Sequence, residues 1–248
     1  MNVSPELVKQ LREITGAGML DCKNYLDRSN NNLEDAIKLF RSESGKKAEK
    51  KGSRIAAEGI VNFYENSKSI IILELNSETD FVAKDTNFVS LAESIGCDLL
   101  EKDIEDCKDS INEKINDSIS KLGENIKLRR FFKLDKTNYT FGYSHNNKIV
   151  SLVELKNSDE SLAKDICMQI VASNPIAIDE STIAQDTLKS EKDIYKKELD
   201  KIDKKEDIKR NILEGKMKKF INDNTLLNQA FVKDPSTSLS KIIKDNQI

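Results

Sequence analysis

Tryptophan is absent from this chain, and only 3 prolines, 4 cysteines and 1 histidine occur in its 248 residues. Each scarcity excludes something. The cysteines (Cys22, Cys97, Cys107, Cys167) are scattered and form no CxxC pair. With a single histidine beside them, neither a zinc site nor a disulfide framework is expected, and a reducing cytoplasm fits best. No apolar run approaches the roughly 20 residues that span a bilayer, so no membrane partner is expected. The start, Met1-Asn2-Val3-Ser4-Pro5-Glu6, lacks the pattern of a signal or transit peptide. GxxxxGK[ST], GxGxxG and GxSxG are all missing, which removes the usual nucleotide-binding and hydrolase signatures. No metal and no cofactor are expected.

What is there is charge. Hydrophobic residues make up 38% and charged residues 33%, with a formal net charge of −3 and a pI near 5.5. That is a soluble, mostly helical composition. A nearly balanced charge also argues against direct nucleic-acid binding, which needs concentrated positive surface.

In chain order, residues 1–45 read as a three-helix unit. Ser4 and Pro5 start the first helix. Leu7, Val8, Leu11 and Ile14 form its apolar face, and Gly16-Ala17-Gly18 ends it. Met19 to Leu26 mark a second helix. Leu33 to Phe40 mark a third, ending near Gly45. Residues 46–58 read as a basic linker, either solvated or in contact with an acidic partner. Residues 59–135 and 136–184 then read as two related α+β subdomains. Each starts with a hairpin, Gly59–Tyr64 with Ile70–Leu75 and Tyr139–Tyr143 with Ile149–Leu155, followed by a helix. A weak echo, Leu73 to Glu78 against Val153 to Ser158, supports the pairing. Between the halves lie a helix through Ile104 to Leu122 and a strand candidate at Ile126–Leu134. Residues 185–222 read as a helical hairpin with one narrow apolar seam, structural or partner-binding. Residues 223–248 return to the second subdomain, with a helix start at Asp234-Pro235-Ser236. The fold class is α+β with antiparallel strands and an inserted helical hairpin.

Two places carry candidate function. Thr79-Asp80-Phe81-Val82-Ala83-Lys84 lies between a core strand and the Phe88 helix. Its aromatic either probes another protein or folds into its own core. His145, the one histidine, ends a hairpin strand after Ser144. Adjacent strand residues point to opposite faces, which disfavours a Ser–His nucleophile. No catalytic residues are assigned. The chain reads as a binding protein, with an RNA- or ribosome-binding role through Lys46–Arg54 and a Ser144/His145 hydrolase as rivals.

Five separate stretches resemble bacterial-type elongation factor Ts, the guanine-nucleotide exchange factors of elongation factor Tu. They are VKQLREITGAGMLDCK (Val8–Lys23), TDFVAK (Thr79–Lys84), GENI (Gly123–Ile126), GYSH (Gly142–His145) and EGKMKKF (Glu214–Phe220). Their order and spacing agree across essentially the whole chain. The resemblance implies a translation factor that binds elongation factor Tu in its GDP-bound and nucleotide-free states and promotes GDP release. It makes residues 1–45 a ubiquitin-associated-like domain that packs near the partner's phosphate loop, with Arg12, Met19 and Leu20 on or near the contact. Leu20 stands where the family often has Met, a volume-conserving exchange. The resemblance puts Asp80 and Phe81, flanked by Thr79 and Val82, beside the partner's Mg²⁺ site, and makes His145 a second intruding position. Residues 185–222 correspond to the family's coiled-coil insertion. The C-terminal module of longer members is expected to be absent. A complex larger than one-to-one stays open.

Overall fold

Leu7, Val8 and Leu11 recur three and four apart and turn one face of helix α1 (Pro5–Thr15) inward. The computed structural model describes residues 3–137, 139–156 and 159–246, apart from the side chains of residues 44–50. Gly16 closes α1 at φ 68°, a left-handed conformation, and its N–H bonds to the Arg12 carbonyl at 2.8 Å. Helices α2 (Met19–Arg28) and α3 (Leu33–Lys51) complete the bundle. Tyr25 and Phe40 meet edge to face in its small core, ring centroids 5.7 Å apart.

Two expectations are corrected here. Ile14 is 54% exposed rather than part of the inner face, because Thr15, four residues after Leu11, takes the buried place. And α3 does not stop near Gly45 but runs to Lys51, through the first half of the expected linker. Lys, Ala and Glu are good helix formers, and α3 packs along a later helix, which offsets the roughly 1 kcal/mol that Gly45 costs. The side chains of Lys46 to Lys50 lie outside the described residues.

The chain then makes β1 (Glu58–Glu65), β2 (Ser69–Ser77), the one-turn α4 (Asp80–Ala83), α5 (Thr86–Glu101), α6 (Ile104–Leu122) and β3 (Lys127–Asp135). The strands form an antiparallel sheet in the order β1-β2-β3. Ile71, Leu73 and Leu75 line its covered face against Phe88, Ile95 and Leu99 of α5 and Ile111 of α6. Tyr64 joins them where α5 has only Gly96. A Cβ on Gly96 would fall 2.3 Å from the Tyr64 ring. Burial, helped by the charge of Glu93, pushes the Tyr64 phenol up to about 12. Lys133 reaches over the end of α5, donating to the carbonyls of Leu99 (2.9 Å) and Leu100 (3.2 Å).

The sheet register slips between Glu74 and Leu75. Glu74 pairs with Arg130 while Leu75 pairs with Leu128, so Arg129 is an extra residue in β3. Consecutive strand residues normally face opposite ways. At this bulge both arginines reach one carboxylate, Arg129 at 3.1 Å and Arg130 at 2.7 Å. Burial alone would raise the Glu74 carboxyl, but bonding and charge from Arg130, with Asn76 and Arg129, hold it below its ordinary value.

Next come β4 (Thr140–His145), β5 (Ile149–Glu154), α7 (Glu160–Ser173), α8 (Gln185–Asp200), α9 (Glu206–Asn224), β6 (Ala230–Phe231), β7 (Asp234–Ser238) and α10 (Leu239–Asp245). By packing, the chain divides into residues 1–136 with 144–150, and 137–143 with 151–248. In the second unit, Leu162 and Ile166 of α7 pack with Leu226, Phe231 and Leu239 from beyond α9. Helices α8 and α9 form the expected hairpin. Lys216 bonds Glu198 at 2.5 Å and lies 5.0 Å over the Tyr195 ring. Asn157 and Ser158, the end of the sequence echo, lie outside the described residues.

Pro235 does not start a helix. It sits in β7, which pairs with β6, and helix α10 begins only at Leu239. Pro235 is exposed in a two-stranded ribbon, where a missing N–H is tolerated. The architecture is α+β, with antiparallel strands throughout the named sheets.

Candidate partner interface

Thr79 to Lys84 is a turn of helix rather than the loop its flanks imply. Thr79 is the N-cap, and its Oγ1 accepts from the Val82 N–H at 3.4 Å. Ala83 is buried and Val82 packs on the core, which leaves Phe81 on the outer side, 81% exposed. Thr79 and Val82 are half-buried and are used within the fold. Asp80 and Phe81 are the two that face outward. The N-cap role falls to Thr79 and not to Asp80. The Asp80 carboxylate instead bonds Lys84 at 2.7 Å. That bond, then the Lys84 charge, holds the Asp80 carboxyl below its ordinary value, and Lys84 is correspondingly raised.

The entry to α4 is clasped from the end of α6. The Glu124 carboxylate accepts from the N–H of Glu78 (3.1 Å), the N–H of Thr79 (3.0 Å) and the hydroxyl of Thr79 (2.6 Å). In return, the Glu78 carboxylate accepts from the Asn125 N–H at 2.7 Å. Asn125 also donates to the carbonyl of Arg54 at 2.8 Å, on the stretch leaving α3. Glu78, Glu124 and Asn125 carried no role in the reading of the residues. The signal available was the GENI stretch, a polar pair directly after a helix-ending glycine.

His145 lies at the tip of the β4–β5 hairpin, exposed, with its Nε2 3.3 Å from the Asn146 amide. Asn146 and Asn147 turn the tip at φ 52° and 55°. The tip is fixed to β1. Val61 N–H donates to the Asn147 carbonyl at 2.7 Å, and Lys148 pairs with Glu58 at 2.9 Å. Lys148 also favours the Asp80 carboxylate by its charge, as Glu58 favours the Lys84 ammonium. These four charges bring α4 and the hairpin tip to the same end of β1. The Ser144 hydroxyl is buried with no hydrogen-bond partner. His145 therefore does not hold it as a base would hold a nucleophile.

The third patch is on the bundle. Met19 is 62% and Leu20 84% exposed, at the start of α2, and Arg12 is exposed on α1. Val3, Val8, Arg12, Met19 and Lys23 line a shallow cleft of about 310 Å³. Buried Ala17 and the Thr15 hydroxyl, bonded to the Leu11 carbonyl at 2.6 Å, hold the loop that sets Met19 and Leu20 outward. Ile14, exposed rather than inward, adds to the exposed apolar surface of α1. Arg12 and Met19 share this cleft, and Leu20 follows Met19 on the exposed start of α2.

Among the described residues no cluster of His, Cys, Asp and Glu is arranged to hold a metal ion, and no helix is long and apolar enough to cross a membrane. The four cysteines are unpaired.

Comparison with known proteins adds an independent line. A family profile described as "Elongation factor TS" matches residues 78–248, and one described as "UBA-like domain" matches residues 4–47. Curated proteins called elongation factor Ts are similar over nearly the full length. That of Ruthia magnifica subsp. Calyptogena magnifica is 40% identical over 99% of this chain and 88% of its own length. That of Alkalilimnicola ehrlichii is 38% identical over 98% and 88%. That of Halothermothrix orenii is 38% identical over 99% and 89%.

Proposed function

The chain belongs to the elongation factor Ts family and is a translation elongation factor; from that premise we propose that it is the guanine-nucleotide exchange factor of elongation factor Tu, acting in the cytoplasm. The observation that carries this reading is Phe81. A large aromatic is held 81% exposed on a helical turn that its own fold fixes from below. Such a side chain is placed for another protein's interior.

Exchange works by differential affinity. A surface that binds the nucleotide-free partner better than the nucleotide-bound one shifts nucleotide release, and a shift of ~10⁴ needs about 5.5 kcal/mol. Burying one Phe contributes roughly 1.5–3 kcal/mol, so Phe81 does not suffice alone. Met19, Leu20 and Arg12 supply a second contact, and His145 with the hairpin tip a third. Phe81 acts as a wedge between partner elements beside the Mg²⁺ site. Asp80, already neutralised by Lys84, sets the polarity at the base of the wedge. Coupling is reciprocal, so bound nucleotide lowers the partner's affinity for this chain by the same factor. The protein forms and breaks no covalent bond.

The test is the rate at which elongation factor Tu from the same source releases a fluorescent GDP, with and without this protein at low micromolar concentration. The expected result is a saturable acceleration at substoichiometric amounts. No acceleration by folded protein refutes the proposal.

A further inference from the structure

Helix α4 is one turn long, and an isolated turn of helix is unstable in water. Its own cap is long, at 3.4 Å. What fixes its entry is a side chain 45 residues further on. Glu124 takes three donors at once, the N–H of Glu78, the N–H of Thr79 and the Thr79 hydroxyl. The hydroxyl proton has a single use. Because it goes to Glu124, the lone pairs of Thr79 Oγ1 face the Val82 N–H, which is the cap. Glu124 is itself placed by the left-handed Gly123 at the end of α6 and by the Asn125–Glu78 bond. Arg54 lies 3.5 Å from the Glu78 carboxylate.

We propose that Glu124 is a positioning residue, whose carboxylate holds α4 in the pose that presents Phe81 to the partner. This rests on the reading of Phe81 as the partner-contacting aromatic. Without the clasp, α4 samples poses that do not present Phe81. The apparent affinity for the partner then falls by the fraction of time that the competent pose is occupied. Once bound, Phe81 is seated by the partner and release proceeds as before.

The clasp makes a distinction that charge alone does not. Glutamine keeps most of it: its carbonyl accepts from the two backbone N–H groups, while its NH₂ donates to Thr79 Oγ1, which reverses the third bond and still leaves one lone pair for the Val82 N–H. Alanine removes it.

The experiment compares Glu124→Ala, Glu124→Gln and Glu124→Asp with the unaltered chain in two assays. In GDP release from elongation factor Tu, Glu124→Ala raises the half-saturating concentration about tenfold or more, with a near-normal saturated rate, and Glu124→Gln stays close to the unaltered chain. In NMR-detected amide exchange on the chain alone, the amides of Glu78, Thr79 and Val82 exchange faster in Glu124→Ala and not in Glu124→Gln. Glu124→Asp, with its carboxylate one methylene short, takes the place of Glu124→Ala if that variant does not fold. The proposal is overturned if Gln is as impaired as Ala, which would make Glu124 a charged contact. It is also overturned if only the saturated rate falls, or if amide protection is unchanged in Ala. The amide arm needs no partner. An unaltered chain inactive on elongation factor Tu would refute the exchange reading, and the amides would still decide whether Glu124 holds α4.

Discussion

Replacing Phe81 with Ala separates a wedge from a core residue. In the free protein the side chain is 81% exposed, so its removal takes little from the fold. Surface substitutions of this kind stay within about 0.5 kcal/mol, which in a protein this size moves Tm by less than about 2 °C. The same exposure means that nearly all of the ring's burial energy is still available to a partner. That energy is roughly 1.5–3 kcal/mol, or a loss of about 10- to 150-fold in the second-order rate constant of GDP release. The saturated rate falls too, because the ring contributes after docking. The assay is stopped-flow release of fluorescent GDP from elongation factor Tu over a range of concentrations, paired with thermal melting followed by circular dichroism. A Tm drop of more than about 5 °C would return Phe81 to its own core. Unaltered release kinetics with unaltered Tm would remove the wedge.

Other perturbations have equally definite outcomes. Met19→Ala with Leu20→Ala leaves Tm within about 2 °C but weakens partner association, measured by calorimetric titration. Gly96→Ala drives a Cβ into the Tyr64 ring and costs about 1–3 kcal/mol, seen as a Tm lower by several degrees. Tyr64 also makes stability depend on alkaline pH. The folded state keeps the phenol proton up to about 12 while the unfolded chain ionises near its ordinary value. Its contribution is therefore complete below that ordinary value and is lost as pH rises through the interval, and Tyr64→Phe flattens this part of a urea-midpoint profile. The Asp80 carboxyl, lowered chiefly by its bond to Lys84, titrates below the usual aspartate range by NMR and moves back up in Lys84→Ala. The pair favours the folded state above that range and ceases to as pH falls through the lowered value. High salt shrinks the effect because both groups are exposed.

Periodicity made most elements legible. The apolar spacing within residues 185–222 places α8 and α9 correctly, and Asn146-Asn147 marks the hairpin tip. The errors have physical causes. Gly45 looked like a stop, but the helix formers after it and the packing of α3 on α6 outweighed its cost. Asp234-Pro235-Ser236 has the chemistry of a helix start, yet pairing with Ala230–Phe231 claimed it for a strand. Thr79-Asp80 supplies an N-cap and a first-turn acid, the local signal for the single helical turn between β2 and α5. The clasp is a different matter. Glu124 lies 45 residues from Thr79, and no local pattern states that two loops meet. Nor does spacing reveal that Arg129 and Arg130 share Glu74, since the bulge that permits it arises only when β2 and β3 pair.

The core of the second unit has a history written into its order. Leu162 and Ile166 are made first, the whole of α8 and α9 follows, and only then come Leu226, Phe231 and Leu239, which cover them. A ribosome adds ~5–20 residues per second, so the roughly 70 intervening residues take about 4–15 s. Helix pairing is faster than that by orders of magnitude. The arm is therefore a finished hairpin while the apolar face of α7 still waits in water for its cover. During that interval α7 has Val153 and Leu155 from before it to pack against, and the rest of its apolar surface stays open. A shorter arm would close the window sooner.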